Sequence, residues 1–262
     1  VQTCALPISG VPQVVNGNLE SYRVASGAVR IEGNGLDASR TDYAEIIARA
    51  VQVNAGVWAP ELKLSAGLNT VSADHASVAP GVAATDAAPA VAIDVAQLGG
   101  MYAGHIYLTS TEHGVGVRNA GSIGASVGQA VVTADGRLEN SGSLTATGLL
   151  AVQATGGISN AGELGSKSAA GLNTTALDNS GSIASAGTLA VQASGAVRNT
   201  GSIGGEGSSY EPLPPSYRHP GKKWRVKRGA MPLWYKQHNG VRRHTQSGAA
   251  RVARFRPPSR TV

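Results

Sequence analysis

The sequence predicts an all-β fold, a parallel β-helix or β-solenoid built from coils of about 20 residues. Three observations predict it. First, the pattern apolar-x-Asn-small-Gly-x-Ile/Leu occurs five times, at Val117–Ile123, Leu138–Leu144, Ile158–Leu164, Leu177–Ile183 and Val197–Ile203. Its asparagines, Asn119, Asn140, Asn160, Asn179 and Asn199, are 21, 20, 19 and 20 residues apart. Second, another element shares the period: Val131-Val-Thr-Ala-Asp-Gly136, Ala151-Val-Gln-Ala-Thr-Gly156 and Ala190-Val-Gln-Ala-Ser-Gly195. Third, aromatic residues make up only 4% of the chain while glycine supplies 35 of 262 residues, which suits a body with narrow layers rather than a ring-filled globule.

Taken in order, residues 22–33 read as strands with turns. Asp42-Tyr-Ala-Glu45 has capping-box spacing, and Tyr43, Ile46, Ile47 and Ala50 then fall at i, i+3, i+4 and i+7, so a short helix is expected near 42–50, although Val51-Gln-Val53 invites a strand. Residues 72–90 show no period and read as a surface loop, and strands resume at 90–95 and 105–109. Gly99, Gly100 and Gly104 around Met101-Tyr102 read as a tight turn rather than a phosphate loop, since no strand–loop–helix context surrounds them. From 114 to 206 the alternation is that of strands: Val117, Leu138, Ile158, Leu177 and Val197 point inward, and Arg118, Glu139, Ser159, Asp178 and Arg198 point outward. Asn followed by small-Gly is turn chemistry, ascribed to the tolerance of both residues for left-handed backbone. A 20-residue unit cannot bury its apolar face alone, so units must stack, and the five asparagines are expected to form a structural ladder of paired amides. A flexible linker would need no apolar residues in phase, and leucine-rich repeats would need more leucine.

Charge divides the chain. Residues 1–209 carry 9 Lys+Arg and 15 Asp+Glu, whereas 210–262 carry 13 Lys+Arg and the single acid Glu211. The repeat stops after Ile203 and the basic, Pro/Arg-rich text of 207–262 has no period. Three readings stand for it: frameshifted translation, a disordered tail, or a basic domain that binds nucleic acid through Lys222–Arg228, Trp234 and Tyr235. At the other end, Val1–Ile8 back-translates into text resembling a sequencing-library adapter, so residues 1–9 are expected to be non-native, with Cys4 carrying no meaning. The signal peptide and true N-terminus are expected to lie outside the sequence.

Gly33-Asn-Gly-Leu-Asp37, Asp42-Tyr43, Ala48-Arg-Ala50, Val53-Asn-Ala-Gly-Val-Trp58 and Leu98-Gly-Gly-Met-Tyr-Ala-Gly104 resemble filamentous-haemagglutinin-type exoproteins of two-partner secretion. Gly114–Gly121 and Ala134–Gly142 continue the likeness, which spans roughly 10–206. The resemblance implies a right-handed β-helix, export to the bacterial surface or medium, and an outer-membrane partner transporter. It makes 10–113 the C-terminal part of the secretion domain and 114–206 the first β-helix repeats of a haemagglutinin-like adhesin or a contact-dependent growth-inhibition toxin. The receptor, on a host or neighbouring cell, is not indicated. The chain contains no Asn-Pro, so the family's Asn-Pro-Asn recognition motif cannot be placed on any residue here.

The search for chemistry is mostly empty. There is no phosphate-loop or His-Glu-x-x-His motif and no Cys pair for zinc. Of His75, His105 and His113, the last two lie in or next to strand-like text and are read as surface strand residues rather than ligands, while His75 falls in the stretch read as a surface loop. No catalytic, cofactor-binding or metal residue and no small-molecule substrate is expected. The rival class is a β-helical carbohydrate-active enzyme, which needs carboxylates clustered on one face; the outward row Arg118, Glu139, Ser159, Asp178, Arg198 offers no adjacent acidic pair.

Overall fold

The computed structural model describes residues 4–5, 7–205 and 209–210. Among these residues every regular element is a strand. Consecutive coils lie on one another with parallel pairing, so residues one coil apart are neighbours in space. One face is an eight-stranded parallel sheet running Ala28–Ile31, Ala50–Val53, Ile93–Val95, Val117–Asn119, Leu138–Asn140, Ile158–Asn160, Leu177–Asn179 and Val197–Asn199. The other two faces belong to a 15-stranded sheet. In it the long strands Gly56–Ala66 and Gly100–Ser110 pair in parallel, Gly56 to Gly100 and Ala66 to Ser110. Below them the sheet divides: Gly100–Ala103 pairs with Ser122–Ala125, and Ile106–Ser110 with Ala130–Ala134. Each later coil thus has three short strands joined by turns.

Strand alternation sends Ile123, Leu144, Leu164 and Ile183 into the core from one face and Val132, Val152, Leu172 and Val191 from another. Full burial of each such side chain is worth roughly 1.5–3 kcal/mol over exposure. Three strands of three to six residues enclose a slender interior. Aliphatic side chains fill it and rings are excluded, which accounts for the composition.

A four-stranded antiparallel sheet lies outside the solenoid: Val11–Val15, Asn18–Val24, Asn69–Ser72 and Val78–Pro80. It explains two departures from expectation. Residues 72–90 are not wholly loop, since Val78–Pro80 closes this sheet. The helix expected at 42–50 is two strands, Tyr43–Ala48 and Ala50–Val53. Ala44, Ile46 and Ala48 face the solenoid core, while Ile47 joins Val24 and Val71 in a second cluster beneath the antiparallel sheet. A strand buried on both faces loses its alternation. That is why its apolar residues imitate a helical period.

The tight turn expected around Met101-Tyr102 is also corrected. Gly100 opens the 11-residue strand and Gly104 lies inside it; the turn is at Gln97-Leu98. A Cβ on Gly104 would stand 2.6 Å from the carbonyl oxygen of Pro60, so this glycine serves close stacking of two coils.

At the margins, the backbone of Cys4–Ala5 pairs with Tyr43–Ala44, and Ile8 bridges to Ile47. Ser209–Tyr210 lies beside Ala190–Val191. An open sheet edge accepts any extended segment, because backbone pairing does not depend on side-chain identity. The rest of the basic tail falls outside the described residues.

Candidate functional site

Two groups of buried polar side chains stand out, one repeated and one singular. The repeated group is the asparagine column. Each Asn ends a three-residue strand, and the strands are in register, Asn119 beside Asn140, then Asn160, Asn179 and Asn199. Asn119 Nδ2 donates to Asn140 Oδ1 at 2.8 Å; Asn140 to Asn160, Asn160 to Asn179 and Asn179 to Asn199 follow at 2.7 Å each. Each donor amide also reaches a backbone carbonyl of the next coil: Ser143, Glu163, Ser182 and Ser202 at 3.0–3.1 Å. Asn119, Asn140, Asn160 and Asn179 are fully buried. The column starts abruptly. In the three coils above, the same position holds Ile31, Val53 and Val95. At the head of the column, Asn119 Oδ1 accepts from the N–H of Gly121.

The glycines of the motif have a different cause from the one expected. Gly121, Gly142, Gly162, Gly181 and Gly201 are absent from the positive-φ residues, as are the ladder asparagines. Instead, a Cβ on each would stand 2.0–2.1 Å from the carbonyl oxygen of the glycine one coil above. The requirement is for backbone contact between coils, and turn conformation plays no part.

The singular group fastens the first coils. Arg49 is 2% exposed. Its Nε and Nη2 donate to the two oxygens of Glu112 at 3.0 and 2.7 Å, and its Nη1 donates to the Asp86 carbonyl at 2.7 Å and to the Asp86 carboxylate. One guanidinium thereby holds the segment around Asp86 and the start of the following coil. The hydrogen bonds it donates to Glu112, and then to Asp86, raise its pKa further, while Arg49 holds the Asp86 carboxyl below the usual range.

Beneath the antiparallel sheet, Glu45 Oε2 and His75 Nδ1 lie 2.6 Å apart, and neither buried atom has a hydrogen bond of good geometry. Burial pushes the Glu45 carboxyl up to about 7, and burial also lowers the His75 imidazole, with Lys63 adding to the effect. Both shifts favour the uncharged forms, a protonated carboxyl and a neutral imidazole. His75 has φ 57 and stacks on Tyr22 at 5.8 Å between centroids. Its side chain is thus largely enclosed, although it lies in the stretch expected to be a surface loop.

The other histidines stay peripheral. His113 is solvent-exposed beside Asp135 at 3.3 Å, and the His105 ring lies against Gly128. In the outward row the charges pair along the axis. Arg118 grips Asp94 at 2.8 and 2.6 Å, and Arg198 lies 3.9 Å from Asp178. Arg49, Glu112, Glu45 and His75 were missed because each occurs once. The only available signal was a charged residue, Arg49, placed between two strand-like segments.

The TPS secretion domain family model matches residues 9–140. The chain is 50% identical over 159 residues to "Toxin CdiA" of Yersinia pestis, covering 61% of this chain and 5% of that protein. It is 45% identical over 127 residues to "tRNA nuclease CdiA-2" of Burkholderia pseudomallei (strain 1026b), covering 48% and 4%. It is 43% identical over 141 residues to "tRNA nuclease CdiA" of Escherichia coli (strain NC101), covering 54% and 4%. No solved structure matches it. The chain spans about one-twentieth of the length of these relatives. A parallel β-solenoid, a family model covering half the chain and this set of relatives agree, and the chain belongs to the TPS secretion domain family of two-partner secretion exoproteins.

Proposed function

We propose that this chain is the secretion-domain region and first shaft coils of a long CdiA-like exoprotein. It engages a partner β-barrel transporter in the outer membrane, emerges at the cell surface or beyond, and starts a rigid β-helix that carries an adhesive or toxic region away from the producing cell. In this reading 10–113 belongs to the secretion domain and 114–206 to the shaft. The role is binding and support, without catalysis in these coils.

The observation that carries the reading is the coincidence of the family match over 9–140 with a change of construction inside it. One-off contacts stop, and the repeating asparagine column begins at Asn119. Three carboxylates of the first coils are held by arginines: Glu112 and Asp86 by Arg49, and Asp94 by Arg118. In the full-length exoprotein produced with its transporter, deletion of 10–113 is expected to abolish surface appearance while leaving cellular synthesis intact. Equal display of the deleted protein would overturn the assignment.

A further inference from the structure

The long strands Gly56–Ala66 and Gly100–Ser110 carry Trp58 and Tyr102 in register on their outward face. Both rings are well exposed, at 40% and 43%. They are also fixed. A Cβ on Gly56 would stand 2.2 Å from the Trp58 ring, and one on Gly100 would stand 2.6 Å from the Tyr102 hydroxyl. Each ring therefore lies down over the glycine two residues before it, flat against the sheet. Their centroids are 6.2 Å apart with 22° between planes. Two coils thus present one aromatic tile, with ring faces open to solvent and little freedom left to lose on binding.

The borders of the tile are polar and small. Asp37 precedes Trp58 in the same column, and Gly124 follows Tyr102. Ser122 lies beside Gly100, the residue the Tyr102 ring covers. At Gly124 the nearest atom to a Cβ position is Thr145 Oγ1 at 3.8 Å, which leaves a shallow step at the edge of the tile. From Asp37 through Trp58, Tyr102, Gly124 and Thr145 to Gly165, the column holds no lysine or arginine.

We propose that the Trp58–Tyr102 tile is a binding platform for a neutral pyranose oligosaccharide lying along the solenoid axis, with Asp37 and Ser122 meeting its hydroxyls. A pyranose ring has one face of C–H bonds with slight positive charge, matched to the negative face of an aromatic ring, and a rim of hydroxyls that needs polar partners. A nucleic acid or other polyanion would require cationic contacts, and the column has none. A protein partner would bury on the order of 800 Å² of this surface, far more than two half-exposed rings supply. The tile lies within residues 10–113, and its ligand is tested by direct binding, apart from export.

The test is calorimetric titration of the whole chain with chitohexaose, cellohexaose and laminarihexaose, alongside heparin and a single-stranded oligodeoxynucleotide. At least one neutral hexasaccharide is expected to bind with a dissociation constant of about 1 mM or tighter. W58A and Y102A are each expected to weaken it by about tenfold, and W58F and Y102F by no more than about threefold. Raising salt is expected to leave the affinity unchanged, because no ion pair is involved. Circular dichroism of each variant separates loss of binding from loss of fold; if an alanine variant unfolds, W58L and Y102L are titrated in its place. The proposal is overturned if no neutral hexasaccharide binds at about ten times that concentration, if the alanine or leucine variants bind as well as the parent, or if only the polyanions bind. Failure here leaves the export assay untouched, and failure of export leaves this titration unchanged.

Discussion

The first coils and the later coils share one backbone plan and are held by opposite means. Residues 117–205 repeat the same column of amides, the same column of glycines and the same inward aliphatic residues in every turn. Residues 10–113 use each device once: a buried guanidinium, a close Glu–His pair and an antiparallel sheet laid over one face. The later coils are stabilised as a series of equivalent neighbours, each needing only the next. The first coils depend on a few irreplaceable contacts between residues far apart in the chain.

Arg49 is the strongest test of that contrast. Arg49→Ala leaves Glu112 and Asp86 without their partner, and a loss of about 3–5 kcal/mol is expected. The matching change on the exposed pair, Arg118→Ala, is expected to cost less than about 1 kcal/mol. Urea unfolding of both variants checks the ratio, and hydrogen exchange should place the Arg49 loss in residues 27–112. Comparable losses for the two variants would remove the distinction between the regions.

Next in size is the pH response of the first coils. The Glu45 carboxyl, raised from 4.5 to about 7, stabilises the fold while protonated; that contribution is complete below about pH 4.5 and is lost as pH rises through 7. His75, lowered by burial from 6.5, favours the fold while neutral, and this contribution is lost as pH falls. Between those two ordinary values the trends oppose each other; the Glu45 part of the loss totals on the order of 3 kcal/mol as pH rises from 4.5 to 7. Glu45→Gln is expected to remove most of the fall between pH 6 and 8. Thermal unfolding at the two pH values reads it directly, and an unchanged slope would exclude Glu45 as its source.

Within the ladder, Asn160→Leu leaves the Asn140 amide short of one acceptor and the Asn179 oxygen short of its donor. A cost of about 2 kcal/mol is expected, and the same change at Asn199, which is only half-buried, should cost less.

The smallest effect sharpens the boundary between the regions. Val95→Asn would place a new amide one coil above Asn119, whose Oδ1 can accept a second bond. Val53→Asn would face Val95 and find no partner. The first substitution is expected to be better tolerated by about 1 kcal/mol, read as a difference in urea midpoint. Equal costs would mean that the ladder cannot be extended upward.

What was legible in the sequence follows the same division. The strands at 117–119, 138–140 and beyond could be read because Asn119 announces Asn140, and the period itself carries the three-dimensional neighbour. Nothing in the sequence announces that Glu45 meets His75 or that Arg49 meets Glu112, since those contacts occur once and span 30 and 63 residues. The second layer was hidden for a related reason. Ile46 and Ile47 serve different cores, and only knowledge of the covering sheet makes both of them strand residues. The glycine column was visible as a pattern but misattributed, because close approach between coils leaves the same letter in the sequence as a left-handed turn.

The ladder has one further consequence. Its spacings of 21, 20 and 19 residues leave the strand register intact, so the corners absorb a residue more or less without disturbing the column. Every bond between two asparagines runs from one coil to the next in the same sense, and none reaches across two. A structure built on such a rule contains no measure of its own length. Whole turns can be duplicated or deleted in the gene without rewriting any surviving turn, so reach becomes a quantity that evolution can adjust by copying alone.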